Sequence, residues 1–206
     1  FYLHRLKERP VDVYSFNEKI ESVPQGVLFV LLAVAAFLAL LPAWLNYDII
    51  SRDGAFQYVP IARLFLEHKF HDALVNNAQL PLFPLIIAGV SKLTGLSLEM
   101  SGRVTSYSAY IVAALGMFKM ADILFKNRFI ALLAFLFLIT NRQLINRSID
   151  CLKESLFLCC VIWGNYLILK GISSAARKEG FYVLGALCCW SGRCSGAPCS
   201  FLYAHG

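Results

Sequence analysis

The segment Tyr47-Asp48-Ile49-Ile50-Ser51-Arg52-Asp53-Gly54-Ala55-Phe56-Gln57-Tyr58 carries the residues best placed for chemistry in this 206-residue chain. Asp53 stands at the start of a run with helical rhythm, with Gly54 directly behind it. That position admits two readings. One is a helix N-cap, a carboxylate accepting free backbone N–H groups and favoured by the helix dipole. The other is a carboxylate held at a membrane surface, where lowered dielectric tunes it as a general base. A capped aspartate is also a positioned one, so the two readings are compatible. A second acidic residue, Glu154, opens a later apolar block, where its charge complements the dipole of the helix that follows.

The remaining polar residues point to less. Asp48 and Asp53 lie five apart and form no Asp-x-Asp pair, so a tightly bound metal is not expected. His68 and His71 have only Asp72 beside them and read as interface residues rather than ligands. Of the seven cysteines, Cys151, Cys159 and Cys160 lie in or beside an apolar block, where cysteine behaves as a small hydrophobe. Cys188, Cys189, Cys194 and Cys199 crowd the last nineteen residues. Neither group has paired CxxC spacing or a histidine at zinc-finger distance, so no metal, cofactor or disulfide scaffold is expected. Asp122 and Lys119 read as a local ion pair or as snorkelling side chains. Asn146-Arg147-Ser148 fits a glycosylation acceptor only if the topology places it outside.

The elements that must position these residues follow from composition. Hydrophobic residues make up 58% of the chain and charged residues 16%, against roughly 45–50% and about 25% in soluble domains. Mean hydropathy is +0.62. A disordered chain, a fibrous repeat and a soluble globule with a charged surface are excluded. The 26 residues from Ser22 to Tyr47 carry no charge at all. The net charge of +6 comes from 19 basic and 13 acidic residues scattered between apolar blocks. Such scatter fits loop cations that hold membrane orientation, and no nucleic-acid partner is expected.

Gly26 to Leu45 has the ~20 residues that cross a bilayer as a helix. Residues 1–21 form a cytoplasmic segment in this reading, and the stretch 46–80 a loop outside. Within that loop Ala55 to His68 predicts an amphipathic helix, with Phe56, Val59, Ala62, Phe65 and Leu66 on its apolar face, lying at the interface. Further apolar blocks follow at about 81–96, 104–118, 129–140, 155–169 and 181–190. The expected fold is an all-α, polytopic helical bundle with about six membrane segments. Arg5, Lys7, Arg9 and Lys19 precede the first span, against Arg52 and Arg63 soon after it, which sets the N-terminus in the cytoplasm. Residues 188–206 mix Cys, Gly, Ser, Arg and Pro without period and read as a shifted frame or a truncated gene.

Several segments in this order resemble one family. They are Arg52-Asp53-Gly54-x-x-x-Tyr58-x-x-x-Ala62, then Leu64 and Glu67, then Leu80-Pro81-Leu82-Phe83-Pro84-Leu85-Ile86, then Leu93-Thr94-Gly95. Gly102-Arg103 and Ser148-Ile149-Asp150-Cys151-Leu152-Lys153-Glu154-Ser155-Leu156-Phe157 continue the pattern. Together they look like the polytopic C-type glycosyltransferases, among them protein O-mannosyltransferases and lipid A aminoarabinose transferases, which use polyprenyl-phosphate-linked sugars. The resemblance covers about 26–187, less than half of a full family member, so 22–187 is expected to be the N-terminal part of such a domain. It implies that Asp53 is the catalytic acidic residue, a general base or acceptor-orienting group. Arg52 and Tyr58 flank it as candidates for phosphate and hydroxyl contacts, and Glu154 matches the second acidic position. Leu80 stands where aminoarabinose transferases place a Lys before the proline, which argues against that subfamily. Of the basic residues that follow helix 6 in the family only Arg193 remains, inside the anomalous tail.

The implied activity is transfer of a sugar from a polyprenyl-phosphate donor to a lipid, glycan or protein acceptor at the outer membrane face, with membrane lipids as surroundings. The fragment by itself is expected to be inactive. A transporter fragment would need charges within the spans and inverted repeats, and the spans here are almost uncharged. A non-enzymatic multi-pass protein is the other alternative.

Overall fold

A computed structural model describes residues 20–46, 54–75 and 81–173, and every regular element among them is helical. The residues with the predicted catalytic loop, the predicted sixth membrane segment and the cysteine-rich tail lie outside the described residues.

Helix α1 runs from Gln25 to Leu45, 21 residues that start after Pro24. It ends where Asn46 Nδ2 donates to Pro42 O at 2.7 Å. A short π-helical turn, Gly54–Tyr58, leads into α2, Val59–Leu66, and then α3, Phe70–Val75. Helix α4 spans Leu82–Thr94 and stops at Gly95, whose φ of 73° is the left-handed conformation that glycine adopts without strain. Helix α5, Leu98–Phe125, is 28 residues long, begins on Ser97 as N-cap and ends at Lys126 in the left-handed region. Asn127 caps α6, Arg128–Thr140, by accepting from the N–H groups of Phe129 and Ile130. Asn141 then breaks the path and caps α7, Arg142–Ile149, which is turned by 60° from α6. Helix α8 runs from Glu154 to Ser173.

Three of these helices, α1, α5 and α8, are long and apolar enough to cross a membrane, and α6 with α7 makes a fourth if the bent pair is one span. Val30, Leu31, Val34, Phe37 and Leu38 of α1 are all exposed, a continuous apolar face of the kind a bilayer covers. The six segments expected from sequence are therefore three or four among the described residues. Helix α4 accounts for one difference: its 13 residues reach about 20 Å, short of the ~30 Å hydrocarbon core.

Helix α5 is the centre of the bundle. It packs most extensively on α8 and α6 and also touches α1, α2, α4 and α7. Its buried positions are mostly small: Ser101, Gly102, Thr105, Ser106, Ala109, Ala113, Ala114 and Gly116. In lipid no hydrophobic force separates helix from solvent, so small residues that let backbones approach and polar groups that bond across do the joining. At Gly116 an added Cβ would sit 2.7 Å from Trp163 Nε1 of α8. That indole N–H donates to Val112 O at 2.9 Å. Tyr107 donates to Phe37 O of α1 at 2.8 Å, and Tyr110 to Leu138 O of α6 at 2.5 Å. At the opposite end of α1, Arg128 Nη1 donates to the carbonyls of Ile20, Glu21 and Val23.

Gly102 is the tightest of these approaches, because a Cβ there would collide with Sγ of Cys151. Gly102→Ala should lower stability by about 1–3 kcal/mol through overpacking. Adding Cys151→Ala should return only part of the loss, since the Cβ of residue 151 would still lie 3.3 Å away. Gly89→Ala, where nothing lies within 4 Å, should leave stability unchanged or slightly raised. Thermal unfolding of the three variants in detergent checks the order.

Candidate functional site

Arg52 and Asp53 lie outside the described residues, as does Asp48. The chain emerges from that stretch at Gly54 in a π turn, which widens the helix by one residue before α2 begins. Pro60 sits in the first turn of α2, directly after the π turn. The apolar face predicted for this stretch is present in part: Val59, Ala62 and Phe65 are buried, with Ile61 beside them. Phe56 is 76% exposed instead, because the wider π turn rotates it off that face. The helix also stops earlier than the rhythm predicted, at Leu66, and His68 turns the chain with a φ of 60°.

Tyr58 is only 5% exposed, and its ring stands edge-on to Phe83 with centroids 5.1 Å apart. It belongs to one packed cluster with Ala62, Phe83, Ile87 and Cys151, flanked by Leu152 and Leu156. The loop helix α2 is thus seated on α4 and on the junction that precedes α8. Beyond it, Lys69 Nζ pairs with Glu67 Oε2 at 2.8 Å on an exposed surface, where such pairs contribute little. His68 rests against the Phe70 ring. Among the described residues no group of three His, Cys, Asp or Glu side chains is gathered for a metal.

The junction Ile149–Lys153 between α7 and α8 is irregular backbone, and its polar groups are met from α5. Arg103 Nε donates to Ile149 O at 3.3 Å, and its Nη2 to Trp44 O at 3.4 Å. The same guanidinium lies 4.7 Å over the Trp44 ring. Ser106 Oγ donates to Leu152 O at 2.8 Å and accepts from Leu152 N at 3.3 Å. The Asp150 carboxylate is buried and accepts from Cys151 N at 2.7 Å. Cys151 is fully buried under Gly102, and that burial, helped by the negative charges of Asp150 and Glu99, pushes its thiol up to about 12.

Glu154, the first residue of α8, lies where α7 and α8 diverge. It lines a cleft of about 290 Å³ with Tyr110, Gln143, Leu144, Arg147, Ser155, Phe157 and Leu158. Its Oε2 is buried and has no hydrogen-bond partner among the described residues. Tyr58 does not reach this cleft: Tyr110, Leu144 and Leu158 belong to or flank a separate core formed by α1, α5 and α6. Gln143 was not singled out from sequence, and Arg147 entered only as the middle residue of the Asn146-Arg147-Ser148 pattern. Their spacing of four residues on α7, just before an acidic helix start, was the available signal. Ser148 of the Asn146-Arg147-Ser148 pattern is fully buried and its hydroxyl donates to Ile145 O at 2.7 Å, which leaves it a structural residue.

The chain matches no protein-family model, no curated protein and no solved structure.

The raised Cys151 thiol has a direct readout. In the folded chain near pH 8.5 it should carry on the order of 10³ less thiolate than an ordinary cysteine. Alkylation at residue 151, followed by peptide mass spectrometry, should be negligible until the protein is unfolded in SDS. Rapid modification of the native chain at this position would show that Gly102 does not hold it buried.

Proposed function

We propose that this chain is the N-terminal part of a multi-pass membrane glycosyltransferase that takes its sugar from a polyprenyl-phosphate donor. The observation that carries the proposal is the convergence of the resembling segments. Tyr58 from the first loop, Phe83 from the Leu80–Ile86 segment and Cys151 from the Ser148–Phe157 segment all share one packed cluster. Gly102 and Arg103, the fifth piece of the pattern, hold that last segment from α5. Residues spread over nearly a hundred positions are thus mutually supporting, which favours reading them as one site-building unit rather than as chance matches.

In this reading the acceptor hydroxyl oxygen attacks the anomeric carbon of the donor sugar. The bond from that carbon to the phosphate oxygen breaks, and the phosphate leaves with the electron pair. Asp53 removes the acceptor proton, and Arg52 meets the charge that builds on the leaving phosphate. Tyr58, buried on Phe83, fixes the helix that continues from the loop. Glu154 keeps a binding role in a cleft of its own. The helix α2, with Val59, Ile61, Ala62 and Phe65 buried and Arg63 exposed, lies at the outer interface, and the N-terminus is cytoplasmic.

Asp53→Asn, made in the gene product that carries this chain, tests the chemistry. Asparagine caps a helix about as well as aspartate, so stability should change by less than roughly 1 kcal/mol. Transfer from a polyprenyl-phosphate sugar should fall by about 10² or more. Asp48→Asn should cost far less. Wild-type transfer by Asp53→Asn, with poor expression of Asp53→Ala, would assign Asp53 to capping alone.

Orientation has its own test. A cysteine introduced by Ser51→Cys should react with an impermeant maleimide in intact cells, above the level of the parent chain. Labelling that requires lysis would put the loop in the cytoplasm and remove the basis for transfer at the outer face.

A further inference from the structure

The end of the bundle where α1 and α6 begin and α5 and α8 finish gathers charges that the candidate site does not use. Lys119 lies on α5 less than two turns before Phe125, and its ammonium stands 5.3 Å over the Phe29 ring of α1. Apart from that ring it has no hydrogen bond or ion pair among the described residues. It is also reachable from outside. The enclosed side-chain atoms without a partner among the described residues are Ser101 Oγ and Glu154 Oε2, and Lys119 Nζ is not one of them. Arg128 and Lys170 lie close enough to repel Lys119, and Asp122 close enough to attract it without forming an ion pair. Arg128 is held by the carbonyls of Ile20, Glu21 and Val23, and the Lys170 ammonium lies 5.8 Å over the Tyr166 ring. With Lys126 at the end of α5 and Glu21 beside Arg128, four basic residues stand against two acidic ones at this end.

Cations that face one another near hydrocarbon repel more strongly than they do in water. Arg128 is fixed by its three carbonyls, so the cluster cannot simply spread, and an acceptor for Lys119 has to come from outside the described residues. The depth says what surrounds it. Phe29 stands about one turn inside the start of α1, and Lys170 about one turn inside the end of α8. Both helices are long and apolar enough to cross a membrane, which places the cluster near the phosphates of a bilayer, where a lysine turns its ammonium. Val27, Val30 and Leu31, exposed on the turns of α1 around Phe29, give lipid chains an apolar wall at the same level. The excess charge then selects the headgroup. A phosphatidylcholine phosphate brings a cation of its own into a cluster that is already positive, whereas phosphatidylglycerol brings the phosphate alone.

We infer that Lys119, with Arg128 and Lys170 beside it, binds the phosphate of an anionic phospholipid at this end of the bundle. Lys119 donates to the phosphate oxygens, and the other two cations add attraction without having to leave their present contacts. Basic sites between spanning helices hold anionic headgroups in this way. The site goes beyond the transferase reading and stands without it, because neither Asp53 nor sugar transfer enters the argument.

The probe is lipid retention by the chain in nanodiscs of phosphatidylcholine doped with phosphatidylglycerol, read by native mass spectrometry. Phosphatidylglycerol should be retained about tenfold or more over phosphatidylcholine, as expected of two or three basic residues acting on one anionic lipid. Lys119→Met keeps the apolar stem on Phe29 and removes the charge, and it should cut that preference by about fivefold. Lys119→Arg should keep it. Lys170→Met should lower the preference independently, so the test does not depend on one variant folding, and thermal unfolding in phosphatidylcholine alone is the control for both. Lys92→Met removes the same charge from an exposed position on α4 and should leave the preference unchanged. Loss in either Lys119→Met or Lys170→Met, with Lys92→Met unaffected, supports the site. Equal retention of the two lipids, a preference that survives both Lys119→Met and Lys170→Met, or an equal loss in Lys92→Met would overturn it. Displacement of phosphatidylglycerol by millimolar inorganic phosphate would make this a site for soluble anions and overturn its assignment to lipid.

Discussion

How closely other helices can approach α5 decides the rest of this structure. Its neighbours on the lipid side are as apolar as lipid itself, so burial of Leu or Phe gives little reason to associate. What remains is dispersion at short range and hydrogen bonds that water does not weaken. Gly102 admits Cys151, and Gly116 admits Trp163. Tyr107 and Tyr110 reach over to carbonyls of α1 and α6. The low side-chain volume of α5 is thus the reason that six other helices can share one partner.

Close approach also solves the problem of the broken backbone between α7 and α8. Peptide groups that leave a helix near the hydrocarbon need partners from the protein. Ile149 O and both polar groups of Leu152 find them on Arg103 and Ser106, within one turn of each other on α5. A larger residue at position 102 would lift the junction away from those donors. The cost would then include unpaired backbone groups as well as a clash, which is why packing and hydrogen bonding at this point are one constraint rather than two.

Much of the architecture was legible in the sequence because it rests on local signals. The uncharged run before Tyr47 contains α1, and Gly95 marks the end of α4. The apolar rhythm found α2, but periodicity assumes 3.6 residues per turn, and the π turn at 54–58 moved Phe56 out of register. The block at 104–118 understated α5, whose ends are set by the Ser97 cap and by Lys126 rather than by hydropathy. The break at Asn141 was hidden because an apolar block and a polar helix abut there, and only the cap geometry separates them. At the site, Glu154 was visible as an acidic helix start. Its cleft partner Arg147 was not, since their neighbourhood depends on the turn through Asp150 and Cys151, a tertiary feature held from α5.

Arg103 has a further consequence for where chemistry can occur. It bonds to Trp44 O, near the end of α1, and to Ile149 O, just before α8. Those two carbonyls are therefore at the same level of the bundle, although more than a hundred residues of chain separate them. Residue 44 leads into the segment that carries Asp53, and residue 149 leads to Glu154. On the far side of the Asp53 segment, Tyr58 packs in the cluster that contains Cys151. Both flanks of that segment are thus tied to the end of the bundle where the Glu154 cleft opens. Residues 44 and 58, which flank the segment with Asp53, and the junction that leads to Glu154 therefore meet at one end of the bundle.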